Sequence, residues 1–472
     1  MSGLFASLNS SVSALSAQSR AVEISGKNLA NVNNPNYARQ RVIIGSLGTI
    51  ETPQGPESMG VAALGVEQMR DSLLDQQVMR EVALSASYTA EQQGYQRAQA
   101  GLGQSISGTQ SAGGSSSTSD NGIAASVDDF FNAFQSLAAN PTDPGQRQTL
   151  LANTSILTDR LQLADQRLSQ VSNDLNTQVS TDVDSTNRLL QTIAGLNGQI
   201  ASFEINNPGS AVDLRDQRQA DLEQLAAKLP VSIQTSGTGQ VQLVAKDNSG
   251  NDVVLVDGAS VKGTVAFDGT QVTAGSPATA LALTGGSIQG ALSARDGAVK
   301  TIRDNLNQLS AQLVTSVNAA YNPTGTTGNF FKPAGTTAGT IALAAGVNTN
   351  TLKASDGGPA GDNTVAIAIA QLANKNFSTS GTPPDAIDGT FGGFLSAATS
   401  NLGQAVATAT ARVSDQTNIE QLVRSQRDGV SGVSLDEEMA SLLQYQRAFQ
   451  ASSRVFSTID SLLDTVVNKL GA

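Results

Sequence analysis

The chain has 472 residues and contains no Cys, no His and no Trp. That length suffices for two or more domains with a sizeable buried core. The missing side chains exclude zinc fingers, Cys-centred nucleophiles and imidazole general bases, leaving carboxylates, Lys and Tyr for any acid–base chemistry. A net charge of −12 opposes binding to nucleic-acid phosphates.

Charged residues make up 14% of the chain, against roughly 25% in an average soluble domain. Small neutral residues take their place, and such surfaces pack closely with few charges to desolvate. No apolar run reaches the roughly eighteen residues of a membrane-spanning helix. The opening segment Met1–Ser7 lacks the basic and apolar regions of a cleaved secretory signal. Composition alone would suit a cytoplasmic chain.

The first element predicted is a helix from Leu4 to Val32, uninterrupted until Pro35. One heptad position is Leu8, Leu15, Val22 and Leu29; the other is Leu4, Ser11, Gln18, Ser25 and Val32. A turn-rich stretch from Asn33 to Gly65 follows. Helix is expected again from Arg70 to Gly103, then a Ser/Gly tract at Gly108–Ser119, then a short apolar helix at Val127–Ala139. A very long helix is expected from Pro144 to Phe203, with an apolar seam running from Leu157 through Leu175 and on from Leu189 to Phe203.

After Pro230 the period becomes two, with Val231–Ile233, Val241–Val244 and Val253–Val256 separated by Gly- and Asn-rich turns. Asp247–Asp252 has some likeness to a calcium loop, but it lacks the Glu at the twelfth position and reads as a hairpin turn. Helix resumes over Ala291–Ala320, residues Tyr321–Phe391 are irregular apart from Val365–Leu372, and a helix over Phe394–Arg427 leads to the C-terminus. There Leu435, Met439, Leu442, Phe449, Phe456, Ile459, Leu463, Val466 and Leu470 form a second seam with one short spacing, a stammer. Ser434 and Glu437 have the spacing of a capping box.

The fold class expected is α+β, mainly α. Long terminal helices pair as a coiled-coil-like bundle, beside a rod-like helical domain and a small β-rich domain inserted in the middle. The divisions are an N-terminal helix and linker over 1–65, a helical bundle over 66–225, and a β domain over 226–290. A returning helix at 291–320, an irregular insertion at 321–392, the last bundle helix at 393–429 and a C-terminal helix at 430–472 complete it.

The segment Asn28-Leu29-Ala30-Asn31-Val32-Asn33-Asn34-Pro35-Asn36-Tyr37-Ala38-Arg39-Gln40 resembles the signature of the flagellar axial protein family. Asn36 stands where the family usually has Gly, and Asn is the next-best residue for the positive φ of a type II turn. Asp129-Phe130-Phe131 with Asn140, Asp143-Pro144 and Arg147-Gln148, then Asp213–Arg218, then Gly432–Glu438, narrow the resemblance to the hook-associated branch at the hook–filament junction. The likeness implies export through the flagellar type III channel to the outside of the cell. It also implies self-association in a ring, contact with hook protein and with the next hook-associated protein, and an export chaperone on the C-terminal helix. No nucleic acid, membrane or cofactor is implied. Other axial proteins, such as hook protein or flagellin, remain the nearest alternative.

The residues expected to serve packing and assembly are Leu4, Leu8, Leu15, Val22, Leu29, Asn31, Asn33, Pro35 and Tyr37 at one end. At the other they are Leu435, Met439, Leu442, Phe449, Phe456, Ile459, Leu463 and Val466. Asp436-Glu437-Glu438 complements a helix dipole, Asp213–Arg218 reads as an ion-pair network positioning the β domain, and Asp182 and Asp184 read as a solvated face. Tyr37 reads as a packing anchor. No phosphate loop, dinucleotide fingerprint or nucleophile elbow is present, so no catalytic, cofactor or metal residue is assigned and the chain is expected not to be an enzyme. A secreted glycosidase would need two carboxyls about 5–9.5 Å apart in a cleft, and the sequence offers no candidate pair.

Overall fold

The computed structural model describes residues 2–52, 55–103, 122–235, 239–325, 328–359 and 361–465. The Ser/Gly tract at 108–119, Gly237, Thr238, Val466 and Leu470 lie outside them. In chain order the elements are α1 (Ser2–Ala30), β1 (Gln40–Ser46), β2 (Thr49–Thr52), β3 (Gly55–Ser58), β4 (Val61–Gln68), α2 (Ser72–Gly101), α3 (Ile123–Ala139), α4 (Pro144–Phe203) and α5 (Val212–Lys228). Then come β5 (Ser232–Thr235), β6 (Val241–Lys246), β7 (Asp252–Asp257), β8 (Ser260–Val261), β9 (Val265–Phe267), β10 (Val272–Ala274) and β11 (Thr279–Ala280). Last are α6 (Gly286–Ala294), a π-helical turn (Arg295–Val299), α7 (Lys300–Tyr321), α8 (Thr364–Gln371), α9 (Phe391–Ser431) and α10 (Leu435–Asp464). The chain packs into two units: residues 1–86, 182–286 and 416–472, and residues 87–181 and 287–415.

In the first unit α1 lies along α10 and against β1 and β4. The face that α1 buries is made of Ala17, Ala21, Ile24 and Asn28, while Leu8, Leu15, Val22 and Leu29 are only half-buried. Ala21 and Ile24 form one cluster with Val42, and Val66 and Tyr445 pack on it. Small residues on the buried face permit close helix approach. Leucines at a heptad position need not occupy the seam when alanines one residue round the helix allow a shorter axial distance.

The stretch read as turn-rich linker is a long antiparallel hairpin. β1 pairs with β4 and β2 with β3, and the bonds Leu47 N–H to Gly60 O (3.0 Å) and Met59 N–H to Gly48 O (2.9 Å) join the two ladders. A register shift between Ile43 and Ile44 interrupts the alternation, so both side chains face outward at 41% and 37% exposure. With neither face cleanly buried, the period-two signal disappears from the sequence.

The same unit holds the four-stranded antiparallel sheet β5-β6-β7-β8 and the three-stranded sheet β11-β10-β9. Leu243, Val244, Leu255 and Val256 are buried in it. Two asparagines of α4 hold the sheets by their edges. Asn197 Nδ2 donates to the carbonyls of Val241 (2.9 Å) and Gly258 (2.8 Å), and Asn187 Nδ2 to that of Val265 (2.8 Å). Asp247 Oδ1 accepts the N–H groups of Ser249 and Asn251, both at 2.8 Å, which makes Asp247–Asp252 a hairpin turn. Asp182 is buried, not solvated: it accepts from Lys228 Nζ at 2.7 Å, while Asp184 is exposed.

The second unit is built on aromatic packing. Phe130 and Phe134 of α3 meet Phe330 at 6.0 and 5.3 Å between ring centroids, Phe131 stacks on Phe391 at 5.4 Å, and Tyr321 meets Phe330 at 5.4 Å. Residues 321–391 are therefore irregular in backbone yet supply core: Phe330, Phe331, Ile341, Ile369, Phe377 and Ile387 are buried. Arg147 closes the α3–α4 turn, donating to Pro141 O (2.9 Å) and Leu352 O (2.6 Å). Pro144 opens α4 with its φ already set, and Asp143 Oδ1 caps the next free N–H, that of Gly145, at 2.8 Å. The helix expected over 291–320 is interrupted by the π-helical turn, where Gly297 adopts φ −88° and ψ −107°.

Candidate assembly site

The two ends of the chain are locked together by a polar joint in the first unit. Asn28, on the last turn of α1, is 1% exposed. Its Nδ2 donates to Gln40 O (2.8 Å) and Glu438 Oε2 (3.0 Å), while its Oδ1 accepts from Tyr37 O–H (2.8 Å) and Gln40 N–H (3.0 Å). One amide thereby satisfies four groups, the full capacity of its side chain. Glu438 is 3% exposed and takes Arg39 Nε at 2.7 Å on its other oxygen. Arg39 Nη1 reaches Glu437 at 2.6 Å, and the Arg39 N–H donates to Ser431 O at 2.8 Å.

The capping box expected at Ser434 and Glu437 is absent. Ser434 makes no side-chain cap bond, and the Glu437 carboxylate, which a capping box would turn back to the Ser434 N–H, goes to Arg39 across the joint, where a charged donor outbids a neutral one. The helix-dipole reading of Asp436-Glu437-Glu438 misses this second partner. Between α1 and β1 the turn is held by Asn34, whose Oδ1 accepts the Asn36 N–H at 3.2 Å. No described non-glycine residue has positive φ, so the type II turn expected at Asn36 is replaced by an Asx turn.

The start of α5 clasps the same region. Asp213 accepts Lys27 Nζ at 2.6 Å and Gln40 Nε2 at 3.1 Å. Asp216 accepts Arg70 Nη2 at 2.6 Å and Ala38 N–H at 3.3 Å, and Arg70 also reaches Asp75 at 3.2 Å. Of the Asp213–Arg218 network, Arg215 and Arg218 serve α4 and the sheet, whereas both aspartates hold the N-terminal segment. Burial raises the Asp216 carboxyl above its ordinary range, with Arg70 acting in the opposite direction. Burial also pushes the Tyr37 hydroxyl up, assisted by Asp216, Asp213 and Glu438. At Asp213 burial is outweighed by the bonds from Lys27 and Gln40, and the carboxyl falls below its usual range. Glu223, on the far side of α5, takes Arg427 (2.6 Å) and Arg424 (3.0 Å) of α9.

Of the residues assigned from sequence, Tyr37 lies inside the joint, Asn31 caps the end of α1 through Lys27 O at 2.9 Å, and Asn33 and Pro35 are exposed beside it. Leu442, Phe456, Ile459 and Leu463 are half-buried. Leu435 and Met439 point outward at 46% and 48% exposure, and Phe449 is 39% exposed; Leu443, Val455 and Leu462, outside the assigned seam, are exposed as well. Leu4 belongs to α1 by backbone. Phe203, the last seam residue assigned to α4, is exposed. Sequence alone gives Lys27 and Arg70 no pairing role, carries Arg39 and Gln40 only within the axial-protein signature and assigns Glu438 to the helix dipole. The signal available was the placement of scarce charges in otherwise neutral terminal segments.

Among the described residues no group of three or more Asp or Glu is placed to hold a metal ion, and no helix is long and apolar enough to cross a membrane. The arrangement does mechanical work: it fixes one chain end to the other and leaves apolar side chains on the outside of α10.

Three family models match the chain. That for the flagella basal body rod protein covers residues 8–37, and that for the C-terminal region of the flagellar basal body rod FlgEFG proteins covers 425–470. These two matches fall on the helices joined by Arg39 and Glu438, and they set the chain in the class of flagellar axial proteins. The third, the helical domain of flagellar hook-associated protein FlgK, covers residues 114–331. Flagellar hook-associated protein 1 of Escherichia coli K12 is 23% identical over 564 aligned positions, spanning 98% of this chain and 99% of that protein. Its counterpart in Bacillus subtilis 168 is 24% identical across 100% of this chain and 99% of its own length. The chain belongs to the flagellar hook-associated protein 1 family. A solved structure of the hook junction protein FlgK from Burkholderia pseudomallei aligns at 23% identity with a TM-score of 0.46, covering 54% of this chain and 46% of that one.

Proposed function

We propose that this chain is a structural subunit of the bacterial flagellum that joins hook to filament. The observation that carries the reading is the buried tie of Asn28 and Arg39 to Glu438, which holds α1 and α10 side by side while Leu435, Met439, Leu443 and Phe449 stay uncovered. An apolar row of this kind on one helix is buried when a neighbour packs on it. Copies of the chain form a ring through these terminal helices, with hook protein on one side and the next hook-associated protein on the other. Before assembly the exposed face of α10 is a surface for an export chaperone, and export runs through the flagellar type III channel to the cell exterior.

Deleting the gene tests this. Cells should complete their hooks, carry no filaments and release filament subunits into the medium, and expression of the wild-type chain should restore filaments. Normal filaments on the deletion strain would rule the function out.

A further inference from the structure

Arg218 of α5 is 7% exposed, yet no described carboxylate lies within ion-pair distance of it. Both of its hydrogen bonds leave from Nη1, to Asn197 Oδ1 at 2.8 Å and to Gly239 O at 2.9 Å. Nε and Nη2 donate to no described residue. The neighbouring acids are committed elsewhere: Glu204 holds Arg215 in a two-pronged pair at 2.8 and 2.7 Å, and Asp216 and Asp75 hold Arg70. A buried cation whose nearby counter-charge, that of Glu204, is already paired with Arg215 is disfavoured. Burial, followed by the nearby charge of Arg215 and opposed by that of Glu204, lowers the Arg218 guanidinium to about 10, so it remains charged at neutral pH.

Arg218, Arg215 and Arg70 line one cleft of about 500 Å³, together with Gln219 and Ser72. Arg70 contributes a second unmet donor, because its buried Nε has no partner. Two features define what fits. A guanidinium fork matches the two oxygens of a planar carboxylate. Glu67 and Asp75 also line the cleft, and their charge disfavours a multiply charged anion. We infer that this cleft is a receptor for a single carboxylate group, with Arg218 as its charge partner. This stands independently of the flagellar reading. The carboxylate comes either from a small free acid or from an exposed Asp or Glu of a second copy of the chain.

The test uses the full chain at pH 7, heated in sodium acetate and in sodium chloride at equal ionic strength. In acetate the unfolding midpoint should rise by a saturable increment of about 3 °C, with half-saturation on the order of 10 mM, the weak range of a ligand held by one or two charge-assisted bonds. Arg218→Gln should abolish the increment, whatever its own starting midpoint, while Arg80→Gln, outside this cleft, should retain it. An equal rise in chloride, or an increment kept in Arg218→Gln, overturns the inference. Should Arg218→Gln not fold, the guanidinium NMR signal of Arg218 in the wild type decides: a saturable shift with acetate and not with chloride supports the site, and no shift overturns it. Sedimentation then separates the sources. Self-association that acetate competes away assigns the carboxylate to a second copy; self-association indifferent to acetate, with the midpoint still rising, assigns it to a free acid.

Discussion

Arg39 and Glu438 are 399 positions apart in sequence and 2.7 Å apart in space, Nε to Oε1. Glu438 is almost fully buried and shares its second oxygen with Asn28. Removing Arg39 would strand that carboxylate away from water, and breaking such a pair from one side typically costs about 3–5 kcal/mol. Arg39→Ala should therefore lower the stability of the first unit by roughly 3 kcal/mol in urea unfolding. Arg39→Ala with Glu438→Leu should cost less than the single change. A loss within about 0.5 kcal/mol for the single change, the size of an ordinary surface substitution, would show that the pair holds nothing.

Asn28→Ala removes four hydrogen bonds at once and leaves Tyr37 O–H and both main-chain groups of Gln40 without that partner. Each buried group left unsatisfied costs about 1–3 kcal/mol. The expected outcome is a loss of at least about 2 kcal/mol, together with faster proteolysis at residues 31–39. Unchanged cleavage there would contradict the role given to this amide.

Leu443 is 52% exposed and Leu463 half-buried on the same helix. Leu443→Asp should leave thermal unfolding of the purified chain within about 0.5 kcal/mol of wild type and yet prevent filament attachment in cells. Leu463→Asp should affect both. Normal filaments with Leu443→Asp would remove the uncovered face of α10 from the assembly surface.

Asn36 has no positive φ, so Asn36→Val meets no left-handed strain and should change stability by less than about 0.5 kcal/mol. Asn34→Ala should be the damaging substitution in this turn, at about 1 kcal/mol, because the Asn34 side chain accepts the Asn36 N–H. Chemical denaturation of the two variants side by side decides between the Asx turn and the type II turn.

Glu204 gives the pH prediction. Burial raises its carboxyl, but the Arg215 pair and the N–H groups of Gly209 and Ala211 outweigh burial and leave it below the ordinary value of 4.5. A folded-state value below the unfolded one means the unfolded chain binds the proton more readily. The stabilisation is thus present above the ordinary value and disappears as pH falls through the depressed one. Wild type should exceed Glu204→Gln in stability at pH 7, with the gap closing below about pH 4. A gap that is constant with pH would assign the difference to shape alone.

How much of this was legible in the sequence depended on what did the packing. The ends of α4 were readable to the residue because Asp143-Pro144 starts it and the Asn-Pro-Gly run at 207–209 prevents its continuation. The hairpin over 40–68 was not, because its outward Ile43, Ile44, Leu47 and Leu64 erase the alternation that marks a half-buried strand. Residues 321–391 misled for the opposite reason: their core contribution rests on aromatic side chains at irregular spacing, which carries no periodic signal. At the candidate site the apolar residues were visible by period, but the buried tie was not. Pairing Arg39 with Glu438 requires the tertiary fold, and no local spacing encodes it.

The separation of the two halves of that tie has a consequence for timing. The carboxylate that fills the socket around Asn28 and Arg39 lies in the first turn of α10, 399 positions beyond Arg39. A chain synthesised from its N-terminus therefore cannot close the joint until Glu438 has been made. Until then Asn28 and Arg39 lack their buried carboxylate and α1 has no α10 to lie against, so a copy cut short before α10 cannot form the joint. The joint forms only in a copy that carries both segments.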